Sequence, residues 1–293
     1  MKKLLLCRVV DIIIAEVEKY CGMRRYFLYL ITLLFFSGCS QSRLVETFIT
    51  DDDRVLRQIL EEADKDTLVV FDCDEVLITP DDTLFSPVNE DNYKKTIQYL
   101  NKKVGFSKAD DILISIRKRH KFRLLNDELP NLIKNMQNRG VSVVVLTAHW
   151  TGEFHNIKSV EDLRKNELNQ FDFDFKKSWN DVGKIVFYEL PTKLPKYNLT
   201  KYPIFENGII FACNIDKGAM LQQFLNRVSR TFDKIIFVDD KMKNIRSIKN
   251  FCEKNKIKGK CIQYKKAELF NKSKADPQEI ERELNKIINS HSF

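Results

Sequence analysis

Three short apolar runs constrain this chain more than any other feature. Thr67-Leu-Val-Val-Phe71, Val141-Ser-Val-Val-Val-Leu146 and Lys234-Ile-Ile-Phe-Val238 are rich in β-branched side chains and show no polar alternation. Runs of this kind suit strands buried on both faces, as in a parallel sheet covered by helices on each side. Each run ends in polar residues: Asp72-Cys73-Asp74 after the first, Thr147 after the second, Asp239-Asp240 after the third. In open α/β sheets, ligands bind outside the carboxyl ends of the strands. Adjacent strands would therefore gather these side chains into one site.

Helical patterns lie between the runs. Leu129 to Arg139 places Leu129, Leu132, Ile133 and Met136 on one face, with Gly140 as a C-terminal stop. Gly218 to Val228 and Asn244 to Asn255 are the next two helices, and Lys260 to Tyr264 is a last strand. The alternation predicts an α/β fold, a doubly wound parallel sheet. The composition agrees. With 43% hydrophobic residues, 11% aromatic residues and only 9 Gly and 7 Pro, the chain is not collagen-like, low-complexity or disordered.

Other segments carry expectations of their own. Arg43 to Ala63 has helical spacing, broken or capped at Asp51 to Asp53, so residues 39–66 read as an N-terminal helical segment. The main domain is placed at 67–275, with insertions near 79–128 (mostly helical) and 176–212. The second stretch includes Ile185 to Leu190 and a hairpin at Glu206-Asn207-Gly208. A helix is expected over Val160 to Asn169. Phe171-Asp-Phe-Asp-Phe175 alternates strictly and reads as a half-exposed strand rather than a cation site. Residues 276–293 read as a charged helix without evident chemistry.

The N-terminus reads as an address. Met23-Arg-Arg precedes an apolar stretch, Tyr26 to Phe36, and then Ser37-Gly38-Cys39-Ser40. A positive start, an apolar core and a small-residue exit define a secretory signal, and eleven apolar residues are too few to span a bilayer as a helix. The exit resembles a bacterial lipobox, which implies cleavage before Cys39 and lipid on its thiol. Residues 1–38 are then a leader and signal peptide, with the true start at Met23. The expected product is an exported, membrane-tethered lipoprotein facing the periplasm or the cell exterior.

Removing residues 1–38 turns 49 basic against 41 acidic side chains into 43 against 38, so the net charge falls from +8 to +5. The basic residues form no block of five or six, which argues against a nucleic-acid partner. Of the seven cysteines, Cys7 and Cys21 precede the signal. Cys73, Cys213, Cys252 and Cys261 remain in the mature chain. For an exported protein Cys252 with Cys261 is the favoured disulfide pair. No cysteine–histidine cluster suggests zinc.

Phe71-Asp72-Cys73-Asp74-Glu75-Val76 resembles the first motif of haloacid dehalogenase-like (HAD) phosphatases. Leu146-Thr147 resembles the second, Lys217-Gly218 the third and Val238-Asp239-Asp240-Lys241 the fourth. The resemblance covers roughly Leu68 to Tyr264, and its weight lies in the ordered set. The spacing and Phe205-Glu206-Asn207-Gly208 are further similar to a poorly characterised bacterial family, known mostly from intracellular bacteria and named only as a domain of unknown function.

The resemblance implies a Rossmann-like, HAD-type fold and a Mg²⁺-dependent phosphatase acting on a small phosphorylated substrate. By that match Asp72 attacks phosphorus. Asp74 protonates the leaving group and then activates water. Thr147 holds a phosphoryl oxygen, and Lys217 neutralises charge. The metal residues implied are Asp72, Asp74 through its carbonyl, Asp239 and Asp240, with Asn244 orienting the ion's surroundings. A phosphotransferase uses the same residues, and a non-catalytic exported binding module is a further alternative. His149 and His155 read as polar loop residues, Cys73 as a buried thiol, and Trp150 and Trp179 as core.

Overall fold

The computed structural model describes residues 44–81, 90–119, 121–154, 157–194, 199–270 and 277–290. The leader, the Met23 start, the lipobox with Cys39, and His155 all lie outside the described residues.

Among the described residues the chain forms an α/β fold around a mostly parallel eight-stranded, Rossmann-like sheet. In chain order its strands are β1 (Val45–Thr50) and β2 (Thr67–Phe71), then, after the small antiparallel pair β3 (Ile78–Pro80) and β4 (Phe122–Leu124), β5 (Ser142–Thr147) and β6 (Ile185–Val186). A ribbon of β7 (Thr192–Leu194) and β8 (Leu199–Lys201) follows, then β9 (Ile204–Glu206), β10 (Ile209–Phe211), β11 (Lys234–Asp239) and β12 (Lys258–Tyr264). The sheet order is β1-β12-β11-β2-β5-β10-β9-β6. The first six strands in that order run parallel; β9 opposes β10 and β6 opposes β9.

The helices fill the connections. Helix α1 (Asp53–Glu61) joins β1 to β2. Helices α2 (Glu90–Val104) and α3 (Phe106–Arg119) lie between β3 and β4, and α4 (Leu129–Asn138) leads into β5. Helix α5 (Val160–Asn169) follows β5, and α6 (Lys217–Arg227) and α7 (Met242–Asn255) flank β11 in the chain. After β12 come α8 (Ala267–Phe270) and α9 (Pro277–Ser290). None of the described helices is long and apolar enough to cross a membrane.

The three apolar runs are β2, β5 and β11, and they are neighbours. Their residues alternate between two cores. Val69, Phe71, Val143, Val145, Ile236 and Val238 face one side. There α1 supplies Leu56, Ile59 and Leu60, and α4 supplies Leu129, Ile133 and Met136. Gly140, the expected stop, follows α4 at φ +84°. Leu68, Val70, Val144, Leu146, Ile235 and Phe237 face the other side. They meet α6, α7 and Trp179, whose Nε1 donates to the Val143 carbonyl at 2.7 Å.

Three expectations need correcting. Residues 45–50 are not helical but form β1, which pairs in parallel with β12. Leu44, Val45, Phe48 and Ile49 fit either period, and sheet pairing overrides the local spacing. The helix begins only after Asp52, whose side chain caps it by accepting from Arg54 N. Residues 171–175 are not a strand. Asp172 turns at φ +59°, and Asp174 caps a 3-10 helix, Phe175–Trp179. The alternation survives only as burial: Phe173 and Phe175 are inside, Asp172 and Asp174 outside. Cys252 and Cys261 are buried free thiols, not a disulfide.

The hairpin at 206–208 is present. Asn207 at φ +52° and Gly208 at φ +78° make the turn between β9 and β10. Any Cβ at position 208 would lie 2.4 Å from the Phe175 carbonyl oxygen. The hairpin lies in the sheet beside β5, and α9 packs Leu284 against Leu100, Ala109, Ile112 and Ile116 of α2 and α3.

Candidate active site

The sheet changes direction at β2. From β2 the chain moves outward to β5 and β10, then crosses through α6 to β11 on the other side. Such a reversal leaves a crevice at the carboxyl ends of the central strands. Asp72 leaves β2, Thr147 closes β5 and Asp239 closes β11. Lys217 enters from the first turn of α6, whose N-cap Asp216 accepts from Ala219 N.

Lys217 ties the centre together. Its Nζ lies 2.8 Å from Asp72 Oδ2 and donates to Asp239 Oδ2 at 2.6 Å, with all three residues buried. Asp72 Oδ1 accepts from Cys73 N at 2.7 Å. Asp239 is held further by Lys241 N at 2.8 Å and by Asn244 Nδ2 at 2.9 and 3.0 Å. Thr147 is buried, and its Oγ1 accepts from His149 N at 3.3 Å.

The charges do not balance. Asp72, Asp239 and Asp240 bring ligand atoms within 4.8 Å of one another, and Lys217 is the cation that contacts two of them. Asp240 Oδ1 is buried with no hydrogen-bond partner. An orphaned carboxylate oxygen beside two more carboxylates is a donor set suited to a hard cation. The acidic triad can therefore hold a metal ion.

The protonation tendencies report the same excess. Burial pushes the Asp72 carboxyl well above its ordinary value; Lys217 opposes this, and Asp239 and Asp240 add to it. Burial and the neighbouring Asp239 push Asp240 up to about 6. Burial alone would lower Lys217, but Asp72 and Asp239 outweigh it and raise it to about 12.

Asp74 sits differently. Its side chain is 40% exposed, and both its oxygens accept from Arg164 Nη2, at 2.8 and 2.9 Å. Burial raises its pKa, but Arg164, Arg117 and His149 outweigh that and hold it at about 2. The loop after it is tight: Leu77 N and Ile78 N both donate to the Cys73 carbonyl, at 3.0 and 3.2 Å. Glu75 there takes φ +62°, buries its carboxyl and accepts from Thr79 Oγ1 at 2.9 Å, while its Oε1 has no partner. Burial pushes Glu75 up to about 8.

Arg164, Glu167 and Arg117 stand outside the motifs, and Glu75 lies within the first motif without a role assigned to it. For Arg164 and Glu167 a signal exists in the sequence. Val160, Arg164, Glu167 and Leu168 recur at helical spacing on the buried face of α5, so two charges stand in apolar register. His149 lies near Asp74, and burial pushes its pKa well below the ordinary value. Cys73 is buried, as is Trp179, and Trp150 is half-buried.

A protein-family profile described as "Protein of unknown function (DUF2608)" matches residues 52–291. An uncharacterized protein of Rickettsia bellii is 28% identical over 55% of this chain and 54% of its own length. One from Rickettsia felis is 27% identical over 63% of this chain and 62% of its own. A Chlamydia trachomatis protein named "Putative outer membrane protein" is 23% identical over 64% of this chain and 65% of its own. The chain thus spans between 54% and 65% of the length of these relatives. No solved structure matches it.

Proposed function

We propose that this chain, which belongs to the DUF2608 family of proteins of unknown function, is a Mg²⁺-dependent phosphatase of the HAD type. The observation that carries the reading is the bridge of Lys217 Nζ between Asp72 and Asp239, beside the orphaned oxygen of Asp240. The ordered motif resemblance adds the roles.

Asp72 Oδ attacks the phosphorus of a phosphomonoester. An aspartyl-phosphate bond forms as the bond from phosphorus to the alcohol oxygen breaks. Asp74 gives that oxygen a proton, then accepts one from the water that attacks phosphorus. Held at about 2, Asp74 is ionised before substrate arrives. The proton it passes on therefore enters with the monoanionic form of the phosphomonoester. The Asp72–phosphorus bond breaks in the second step, releasing inorganic phosphate and restoring the carboxylate. Thr147 donates to a phosphoryl oxygen, and Lys217 offsets its charge. Asp72, Asp239, Asp240 and the Asp74 carbonyl would hold Mg²⁺, which when bound offsets the clustered carboxylates and polarises a phosphoryl oxygen.

The test is phosphate release from an aryl phosphate by the chain from Ser40 onward. Release that requires Mg²⁺ and vanishes in Asp72→Asn is expected. Release that survives that change, or ignores a chelator, refutes the mechanism. Transfer to an added alcohol would instead identify a phosphotransferase. Failure of Mg²⁺-dependent beryllium fluoride to bind would favour a non-catalytic module.

The lipobox-like exit at Cys39 supports membrane tethering on the exported side, and the name of the chlamydial relative is consistent with it. Cys39→Ser is expected to move the protein from the membrane to the soluble fraction of its native cell. Unchanged fractionation would overturn the lipid assignment.

A further inference from the structure

We propose that Arg164 is a positioning residue that fixes the Asp74 carboxylate at the mouth of the site, and that Glu167 and Arg117 extend this clamp to helix α3. The proposal rests on the phosphatase reading, because it assigns a partner to that reading's proton-transfer residue.

The geometry carries it. Arg164 is fully buried on α5, yet its Nη2 reaches the partly exposed Asp74 ninety positions earlier in the chain and bonds both of its oxygens. Its Nη1 contacts Cys73 Sγ at 3.4 Å and Glu167 Oε2 at 3.1 Å. Glu167, itself buried, accepts from Arg117 Nη2 of α3 at 3.0 and 3.1 Å. The result is a continuous chain: Arg117, Glu167, Arg164, Asp74. It joins a helix inserted after β2 and a helix inserted after β5 to one carboxylate.

A clamp of this form solves a local problem. Asp74 stands beyond the end of β2, on the loop whose next residue has φ +62°. The strand register that places Asp72 no longer determines its side-chain direction. A buried guanidinium holding both oxygens removes that freedom while the Asp74 side chain stays 40% exposed. Proton transfer demands such placement, since a shift of about 1 Å can cost on the order of 10²-fold in rate.

The test is a double-mutant cycle on kcat with an aryl phosphate. Arg164→Gln is expected to lower kcat by roughly 10- to 100-fold, the size usual for lost supporting-shell partners. It should leave KM within about twofold. In an Asp74→Asn background the same change should alter kcat by less than about twofold, because a residue that acts through another is non-additive with it. Glu167→Gln, which leaves Arg164 in place, is expected to show a smaller loss with the same dependence on Asp74, and it serves if Arg164→Gln fails to fold. Additive losses in both backgrounds would make Arg164 merely structural and overturn the proposal while the phosphatase reading stands. Absence of Mg²⁺-dependent release by the unaltered chain would overturn both.

Discussion

At the scale of single residues, the site stores electrostatic repulsion that a cation would relieve. Asp240 at about 6 and Glu75 at about 8 both lie above their ordinary values, 3.8 and 4.5. The folded state therefore binds these protons more tightly than the unfolded chain. The sign follows: below the ordinary values neither group penalises folding, and the penalty grows as pH rises through the window from the ordinary to the raised value. In chelator, the unfolding free energy is expected to fall between pH 5 and pH 8, with a slope of up to about 1.4 kcal/mol per pH unit for each proton released, and the melting temperature to fall with it. Asp240→Asn with Glu75→Gln should flatten this fall. Mg²⁺ should flatten it through Asp240 in the unaltered chain. A chelated protein whose stability rises steadily across that window would contradict this account.

At the scale of elements, β2, β5 and β11 were legible because burial on both faces leaves no polar positions in their sequence. The polar residues just beyond those strands were legible for the same reason, as abrupt ends to apolar runs. β1 was not legible: six residues with mixed exposure fit two periods, and only its pairing with β12 decides between them. Residues 171–175 misled because alternation records burial, which a turn and a 3-10 helix can also produce. The apolar register of Arg164 marks it as buried, but its role depends on Asp74, brought near only by the fold.

The packing of α6 on α7 offers an element-scale test. Gly218 N donates to Ser247 Oγ at 2.7 Å, and Ser247 Oγ donates to the N-cap Asp216 at 2.7 Å. A Cβ at position 218 would stand 2.7 Å from both the Ser247 carbonyl oxygen and its Oγ. Gly218→Ala is expected to push the two helices apart and cost about 1–3 kcal/mol, as overpacking does. Lys217 is the adjacent residue, so phosphate release should fall further than the loss of folded protein explains. Calorimetry and activity measured on the same sample check this; wild-type values for both would show that the contact is easily relaxed.

At the scale of the whole molecule, the described residues bury more than one hydrophobic cluster. The two cores on the sheet share no residue with the cluster of Leu100, Ala109, Ile112, Ile116 and Leu284. That cluster consists of α2 and α3 closed by α9, and Tyr99 Oη also meets Glu281 Oε1 and Asn285 Oδ1 of α9, at 3.1 and 3.0 Å. Helices of 14 or 15 residues are marginal alone in water, so α2 and α3 depend on that packing. Burying a leucine such as Leu284 contributes roughly 1.5–3 kcal/mol. A chain ending at Phe270 is therefore expected to keep its sheet, with the main melting transition within a few degrees, while residues 90–119 become open to protease. The readout is limited proteolysis followed by mass analysis. Cleavage inside the sheet at the same rate as in 90–119 would show instead that α9 supports the entire fold. Because α3 carries Arg117, the same truncation should lower kcat even where the sheet survives, which ties the far C-terminal helix to the carboxylate at the mouth of the site.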